Sequence, residues 1–188
     1  MPLNVPNLVT WLRILLIPLI VGIYYVPDGW LSYEGRNVAA TVVFVFAAVT
    51  DWLDGYLARA LNQMSAFGAF LDPVADKLMI AAALIVLLQL GRVDAVVGLI
   101  IIGREIAISA LREWMAQIGR SKSVAVAFIG KIKTASQMVA IPLLLYHDEL
   151  FGLVPCQWLG TILINVAAVL TVISMLYYLR RAVPGTAG

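Results

Sequence analysis

Apolar runs of about twenty residues, parted by short polar turns, take up nearly all of this chain, and few architectures accommodate that pattern. Of 188 residues, 62% are hydrophobic and only 13% are charged, a balance found in membrane proteins with several spans and not in water-soluble domains. The length leaves room for roughly six helices of membrane-crossing size joined by short turns. The expected fold is therefore all-α: a polytopic integral membrane protein of six transmembrane helices with a short interfacial N-terminal segment, forming a single domain over residues 1–188.

Taken in order, residues 3–10 read as the interfacial lead-in, with Trp11 as an anchor at the membrane boundary, and the first helix runs to about Tyr25. No basic stretch precedes that helix and no small-residue cleavage pattern follows it, so it is expected to stay in the mature protein. Helix 2 is expected over about 37–59, helix 3 over 67–90 with Pro73 bending it, helix 4 from about 95 through REIAISALREWMAQIG, helix 5 from Gly130 to about Tyr146, and helix 6 over 154–178. Residues 181–188 read as a disordered tail. With the N-terminus inside, eleven of the thirteen basic residues fall at inner helix ends, and the outer turns keep only Arg36 and Arg92. By the positive-inside rule both termini face the cytoplasm.

The polar residues that interrupt these runs carry the chemistry. Asp51, Asp54, Asp72 and Asp76 stand at the ends of strongly apolar segments, where an ionised carboxylate is costly unless it is paired or binds metal. On a helix Asp51 and Asp54 share a face with Gly55 and Ala58, and on the next helix Gly68, Asp72 and Asp76 follow at steps of four. Each carboxylate stripe thus runs beside residues with almost no side chain, so a bulky ligand can approach. Four carboxylates at close quarters need cations between them. Neither Cys nor His accompanies the cluster, which favours a hard divalent ion, Mg²⁺ first, and a pair of ions about 4 Å apart is a known device for displacement at phosphorus. Arg59, one residue past the first stripe, suits phosphate oxygens.

Further basic residues gather later in the chain. Glu105, Ser109 and Arg112 fall on one helical stripe beside Arg104, so Glu105 and Arg112 either pair with each other or leave the arginines to an anion. Lys131 and Lys133 open helix 5 next to Gly130, a plausible anion-binding helix start. Arg13, inside the first turns of helix 1, either snorkels toward head groups or meets a substrate phosphate. Cys156 and His147 each stand alone in the sequence and suggest neither a disulfide nor a metal site. The basic residues sit at helix ends and form no soluble patch, which argues against nucleic acid as a partner.

The pattern D-x2-D-G-x2-A-R-x8-G-x3-D-x3-D, filled here at all eight fixed positions from Asp51 to Asp76, resembles the signature of the CDP-alcohol phosphotransferases. The resemblance extends along the chain through NVPNLVTWLR, REIAISALREWMA and GKIKT, segments similar to those of members that use glycerol 3-phosphate. It implies transfer of a phosphatidyl group from CDP-diacylglycerol to sn-glycerol 3-phosphate with release of CMP. It also implies two ions, Mg²⁺ or Mn²⁺, on Asp51, Asp54, Asp72 and Asp76, with Asp76 taking the proton of the attacking hydroxyl. Gly55, Ala58, Arg59, Ser65 and Gly68, with Asn7, Thr10 and Arg13, would bind CDP-diacylglycerol. Arg104, Arg112, Lys131 and Lys133 would bind glycerol 3-phosphate. A homodimer in the bacterial inner membrane, its site on the cytoplasmic side, completes the expectation. Three alternatives compete: the same family with inositol phosphate, serine or choline as acceptor; an intramembrane prenyltransferase; and a proton-coupled transporter, which calls for carboxylates near mid-membrane and an inverted repeat, neither visible in the sequence.

Overall fold

Six helices run up and down in the order α1 (Val5–Ile23), α2 (Tyr33–Ala60), α3 (Ala66–Gln89), α4 (Ala95–Gln117), α5 (Phe128–Tyr146) and α6 (Cys156–Ala182). They come from a computed structural model that describes residues 5–60, 66–117 and 128–182, with backbone alone at 5–7, 52–60, 66–67, 69, 112, 116, 128–129, 131 and 177–182. The all-α expectation holds. Ser65 lies outside the described residues, as do residues 183–188 of the expected tail.

Several boundaries differ from the sequence expectation for identifiable reasons. The helix begins at Val5, so most of the expected interfacial lead-in is already part of α1; Pro6 is tolerated in a first turn, where the missing N–H has no helical partner to lose. α2 starts earlier than expected, at Tyr33, because Ser32 caps it: its hydroxyl accepts from the Gly35 N–H at 3.1 Å and its carbonyl from the Arg36 N–H at 2.9 Å. α6 continues through Arg181 to Ala182, past the point where the tail was expected to begin. Before it comes a small antiparallel hairpin, β1 (Glu149–Leu150) with β2 (Val154–Pro155), that the sequence did not suggest. Its turn uses left-handed backbone at Phe151 and Gly152.

Two polar turns fix the end of the bundle remote from the aspartates. α3 closes in a Schellman motif: the Arg92 N–H donates to the Leu87 carbonyl at 2.9 Å and the Gly91 N–H to the Leu88 carbonyl at 3.0 Å, with Gly91 left-handed at φ 67°. Asp94 then caps α4 through the Val96 N–H at 2.8 Å. The Arg92 side chain, 7% exposed, turns inward and donates to the carbonyls of Leu144 and Leu145 (2.9 and 2.7 Å), to the Tyr33 hydroxyl (2.8 Å) and to Asn37 Oδ1 (2.8 Å). One guanidinium thereby ties the end of α5 to the start of α2.

The core runs between these helices, with α1 packed on α2 and α3, and α5 on α6 and α2. Ile20, Phe44, Leu84, Leu87, Ile101, Ile141 and Leu144 are among its buried residues. Gly160 lets α6 approach α5 closely, since a Cβ there would lie 2.8 Å from Leu144 Cγ. Outward, Leu99, Ile106, Val42, Val49 and Val169 are exposed, more apolar surface than water tolerates and what acyl chains accept.

Among the described residues, only Cys156–Leu176 is both long and apolar enough to cross a membrane on its own merits; the runs at Leu8–Ile23 and Ile132–Tyr146 are shorter. The six helices expected from the sequence are present, and their apolar runs differ in length. The charged groups that interrupt the others, such as Asp51 in α2, Asp72 and Asp76 in α3, and Arg104 and Glu105 in α4, are those of the site described next.

Candidate functional site

Helix periodicity places Thr10 and Arg13 on one face of α1, and this face meets the carboxylates of the two neighbouring helices. Thr10 Oγ1 donates to Asp72 Oδ1 at 2.6 Å. Arg13, only 1% exposed, brings Nη1 to 2.8 Å from Asp51 Oδ1 and 2.5 Å from Asp76 Oδ1. One carboxylate from each stripe expected from the spacing, Asp51 of α2 and Asp76 of α3, is thus brought to the same Arg13 nitrogen. Arg13 does not snorkel: its charge is balanced inside the protein.

Around this pair opens a cavity of about 380 Å³. Arg13, Asp51, Asp76 and Lys77 line one side, Arg104 and Glu105 of α4 with Gly130, Thr134 and Gln137 of α5 line the other, and Phe44, Ala47, Ala48, Met79 and Met138 supply apolar wall. Pro73 lies on the wall beside Asp72, and α3 continues through it. Gly68 is buried, two turns before Asp76 on the same stripe.

The basic side is organised by Glu105. Arg104 Nη1 donates to Glu105 Oε1 at 2.9 Å, and Lys133 Nζ, from α5, makes a short charged hydrogen bond to the same oxygen. Arg104 and Lys133 are 8% and 2% exposed, so both charges are held in place by a buried network and not left to solvent. Two cations thus converge on one carboxylate beside the cavity. Among the described residues Glu105's partners are Arg104 and, across helices, Lys133; the Arg112 side chain, which the sequence offered either as Glu105's partner or for an anion, lies outside those described. Thr134, which belongs with Gly130 to the helix-5 start read as an anion site, also lines the cavity, as do Lys77 and Gln137, which were given no site role from sequence.

Of the remaining expected site residues, Asp54, Gly55, Ala58 and Arg59 fall in the last turns of α2, Asn7 in the first turn of α1, Arg112 in α4 and Lys131 in the first turn of α5. Their side chains lie outside those described. Among the described residues no three metal-type side chains converge. The pair that does converge, Asp51 and Asp76, is built of hard oxygen donors and already accommodates a cation, the Arg13 guanidinium, between its two carboxylates. The donor chemistry fits a divalent ion.

A second cavity, about 260 Å³, lies between α2 and α5 and is walled by Phe44, Val45, Ala48, Val49, Met138 and Pro142. It shares Phe44, Ala48 and Met138 with the first and, among the described residues, has no charged residue in its wall. The polar site thus borders on an apolar compartment.

Comparison with known proteins places these features in context. Residues 3–173 match the CDP-alcohol phosphatidyltransferase family. The chain is 47% identical over 184 residues, 97% of its length and 96% of theirs, to the CDP-diacylglycerol–glycerol-3-phosphate 3-phosphatidyltransferases of Shigella flexneri serotype 5b (strain 8401) and Escherichia coli (strain K12). The enzyme of the same name from Shigella boydii serotype 4 (strain Sb227) matches to the same extent.

Proposed function

The chain belongs to the CDP-alcohol phosphatidyltransferase family, and from that premise we propose that it transfers a phosphatidyl group from CDP-diacylglycerol to sn-glycerol 3-phosphate. The observation that carries the reading is a single cavity lined by Asp51 and Asp76 and also by Arg104 and Glu105, with the buried Lys133 bonded to Glu105 behind them. An acceptor that carries its own phosphate calls for such a cluster; serine or choline does not. The opposed carboxylates at one end of the bundle also argue against a mid-membrane proton relay.

In this reading Asp51, Asp54, Asp72 and Asp76 hold two divalent cations, Mg²⁺ or Mn²⁺, which when bound neutralise the diphosphate and make its phosphorus more electrophilic. Arg59, with Gly55, Ala58, Ser65, Gly68 and Asn7, forms the CDP side. Thr10 and Arg13 act from the carboxylate side, orienting Asp72, Asp51 and Asp76. Arg104, Arg112, Lys131 and Lys133 anchor the acceptor's phosphate, leaving its primary hydroxyl directed at the aspartates. That hydroxyl oxygen attacks the phosphorus bearing the diacylglycerol. The new P–O bond forms as the P–O bond to CMP breaks, CMP leaves with the electron pair, and Asp76 takes the hydroxyl proton. The apolar compartment between α2 and α5 accommodates lipid chain. The chain forms one domain in the bacterial inner membrane, with the site and both termini toward the cytoplasm, the side where the basic residues gather.

The test is CMP release by purified protein in detergent containing CDP-diacylglycerol. Release is expected with glycerol 3-phosphate and Mg²⁺, and neither with serine nor with excess chelator. Full activity in chelator sinks the metal assignment, and turnover with serine but not glycerol 3-phosphate sinks the acceptor.

A further inference from the structure

Most polar groups on the cavity wall already have a partner. Asp51 and Asp76 hold Arg13, Glu105 holds Arg104 and Lys133, and Thr134 donates to the Gly130 carbonyl at 3.0 Å. Arg104 leaves its Nε unpaired but is anchored through Nη1, whereas Gln137 has no such anchor among the described residues. It lines the cavity yet is 1% exposed, and its amide nitrogen has no hydrogen-bond partner among the described residues. A buried amide N–H left unpaired is rare enough in folded proteins to need a reason.

Its position suggests one. Gly130, Thr134 and Gln137 follow at i, i+4 and i+7 on one face of α5, and Lys133 lies one turn before Gln137. Beyond Gln137 that wall turns apolar with Met138. Gln137 is therefore the last polar group of α5 on the cavity, past the cationic cluster. An uncharged amide is a weak anchor for phosphate beside an arginine and a lysine, but it both donates to and accepts from a neutral hydroxyl, which a cation cannot do.

We infer that Gln137 is a specificity-determining residue whose side-chain amide reads the secondary hydroxyl of the three-carbon acceptor. The inference rests on the glycerol 3-phosphate reading above. With the phosphate on Arg104 and Lys133 and the primary hydroxyl at the aspartates, the central carbon and its hydroxyl fall between the two walls, where a neutral donor and acceptor is of use. A cavity built this way discriminates by leaving the amide unsatisfied when the hydroxyl is missing.

The test compares kcat/KM for sn-glycerol 3-phosphate with that for 3-hydroxypropyl phosphate, the same acceptor without its secondary hydroxyl, in wild type and in Gln137→Met. Wild type should prefer glycerol 3-phosphate by about ten-fold or more, the worth of one hydrogen bond in a sheltered site. Gln137→Met should bring the ratio close to one by losing activity on glycerol 3-phosphate, with KM for CDP-diacylglycerol unchanged. A variant that keeps both the preference and its lipid KM overturns the assignment of Gln137 and leaves the acceptor standing. Equal use of the two acceptors by wild type overturns the inference whether or not the variant folds. Absence of CMP release from wild type with glycerol 3-phosphate removes the proposed acceptor and this inference together.

Discussion

Two buried arginines, Arg13 and Arg92, stand at opposite ends of the bundle and do different work because their partners differ. Arg13 is held by ionised carboxylates from two helices and lines a cavity. Arg92 is held by neutral oxygens, two carbonyls at the end of α5, a phenol and an amide, and also lies 5.5 Å from the Tyr33 ring centroid. The carbonyls at a helix C-terminus carry partial negative charge, so Arg92 is stabilised by neutral oxygens and its hydrogen bonds involve no carboxylate. At the Arg13 end, charges of both signs border open space, where substrate or metal can compete for them. One arrangement makes a clasp and the other makes a site.

The largest expected effect lies at the site. Asp76→Asn should lower kcat about a thousand-fold, in the range of a lost general base, while the thermal unfolding temperature stays close to wild type because the amide oxygen can still accept from Arg13. A large fall in unfolding temperature with modest loss of turnover would make the Arg13 end a clasp like the other. Next in size, Arg92→Met should leave the Leu144 and Leu145 carbonyls, Tyr33 and Asn37 without their shared donor, and should cost about 3 kcal/mol of stability with KM for both substrates unchanged in the folded fraction. Altered substrate KM with intact stability would break the comparison from the other side.

The smallest effect is a pH dependence at the clasp. Burial, then the nearby Arg92 charge, hold the His147 pKa below its ordinary 6.5, with Asp148 opposing. A depressed histidine pKa means the fold prefers the neutral ring, so this contribution is fully present above pH about 6.5 and is lost as pH falls from there through the folded-state value. Unfolding temperatures at pH 7.5 and 5.5 should therefore differ slightly more in wild type than in His147→Asn, a replacement that tolerates the left-handed backbone at φ 69°. Arg92→Met with His147 kept should shrink the wild-type difference, since the Arg92 charge is one of its causes.

What could be read in advance divides along similar lines. The register from Asp51 to Asp76 put two carboxylate stripes on two helices, and the facing of Asp51 and Asp76 across Arg13 agrees with it, because helical periodicity is a local property. The link from Glu105 to Lys133 joins residues 28 positions apart on separate helices, and no spacing rule within one helix reports it. Arg92 counted in sequence as an ordinary outer-turn base, since its carbonyl partners on α5 leave no mark on residue type. Gln137 is a lone amide in an apolar helix and forms part of no pattern. The hairpin at 149–155 pairs two-residue strands, too short for any alternation to appear.

The compartment between α2 and α5 changes how the enzyme's kinetics should be described. Val45 and Val49 on its wall are 43% and 55% exposed, so it opens on the outer flank of the bundle while sharing wall residues with the polar cavity. A lipid arriving by that route never passes through water, and its supply is set by its two-dimensional density among neighbouring lipids. The acceptor arrives from bulk solution. Saturation in one substrate is then a matter of mole fraction in the bilayer and in the other of molarity, and diluting the membrane with inert lipid slows the reaction even when the total amount of lipid substrate is held constant.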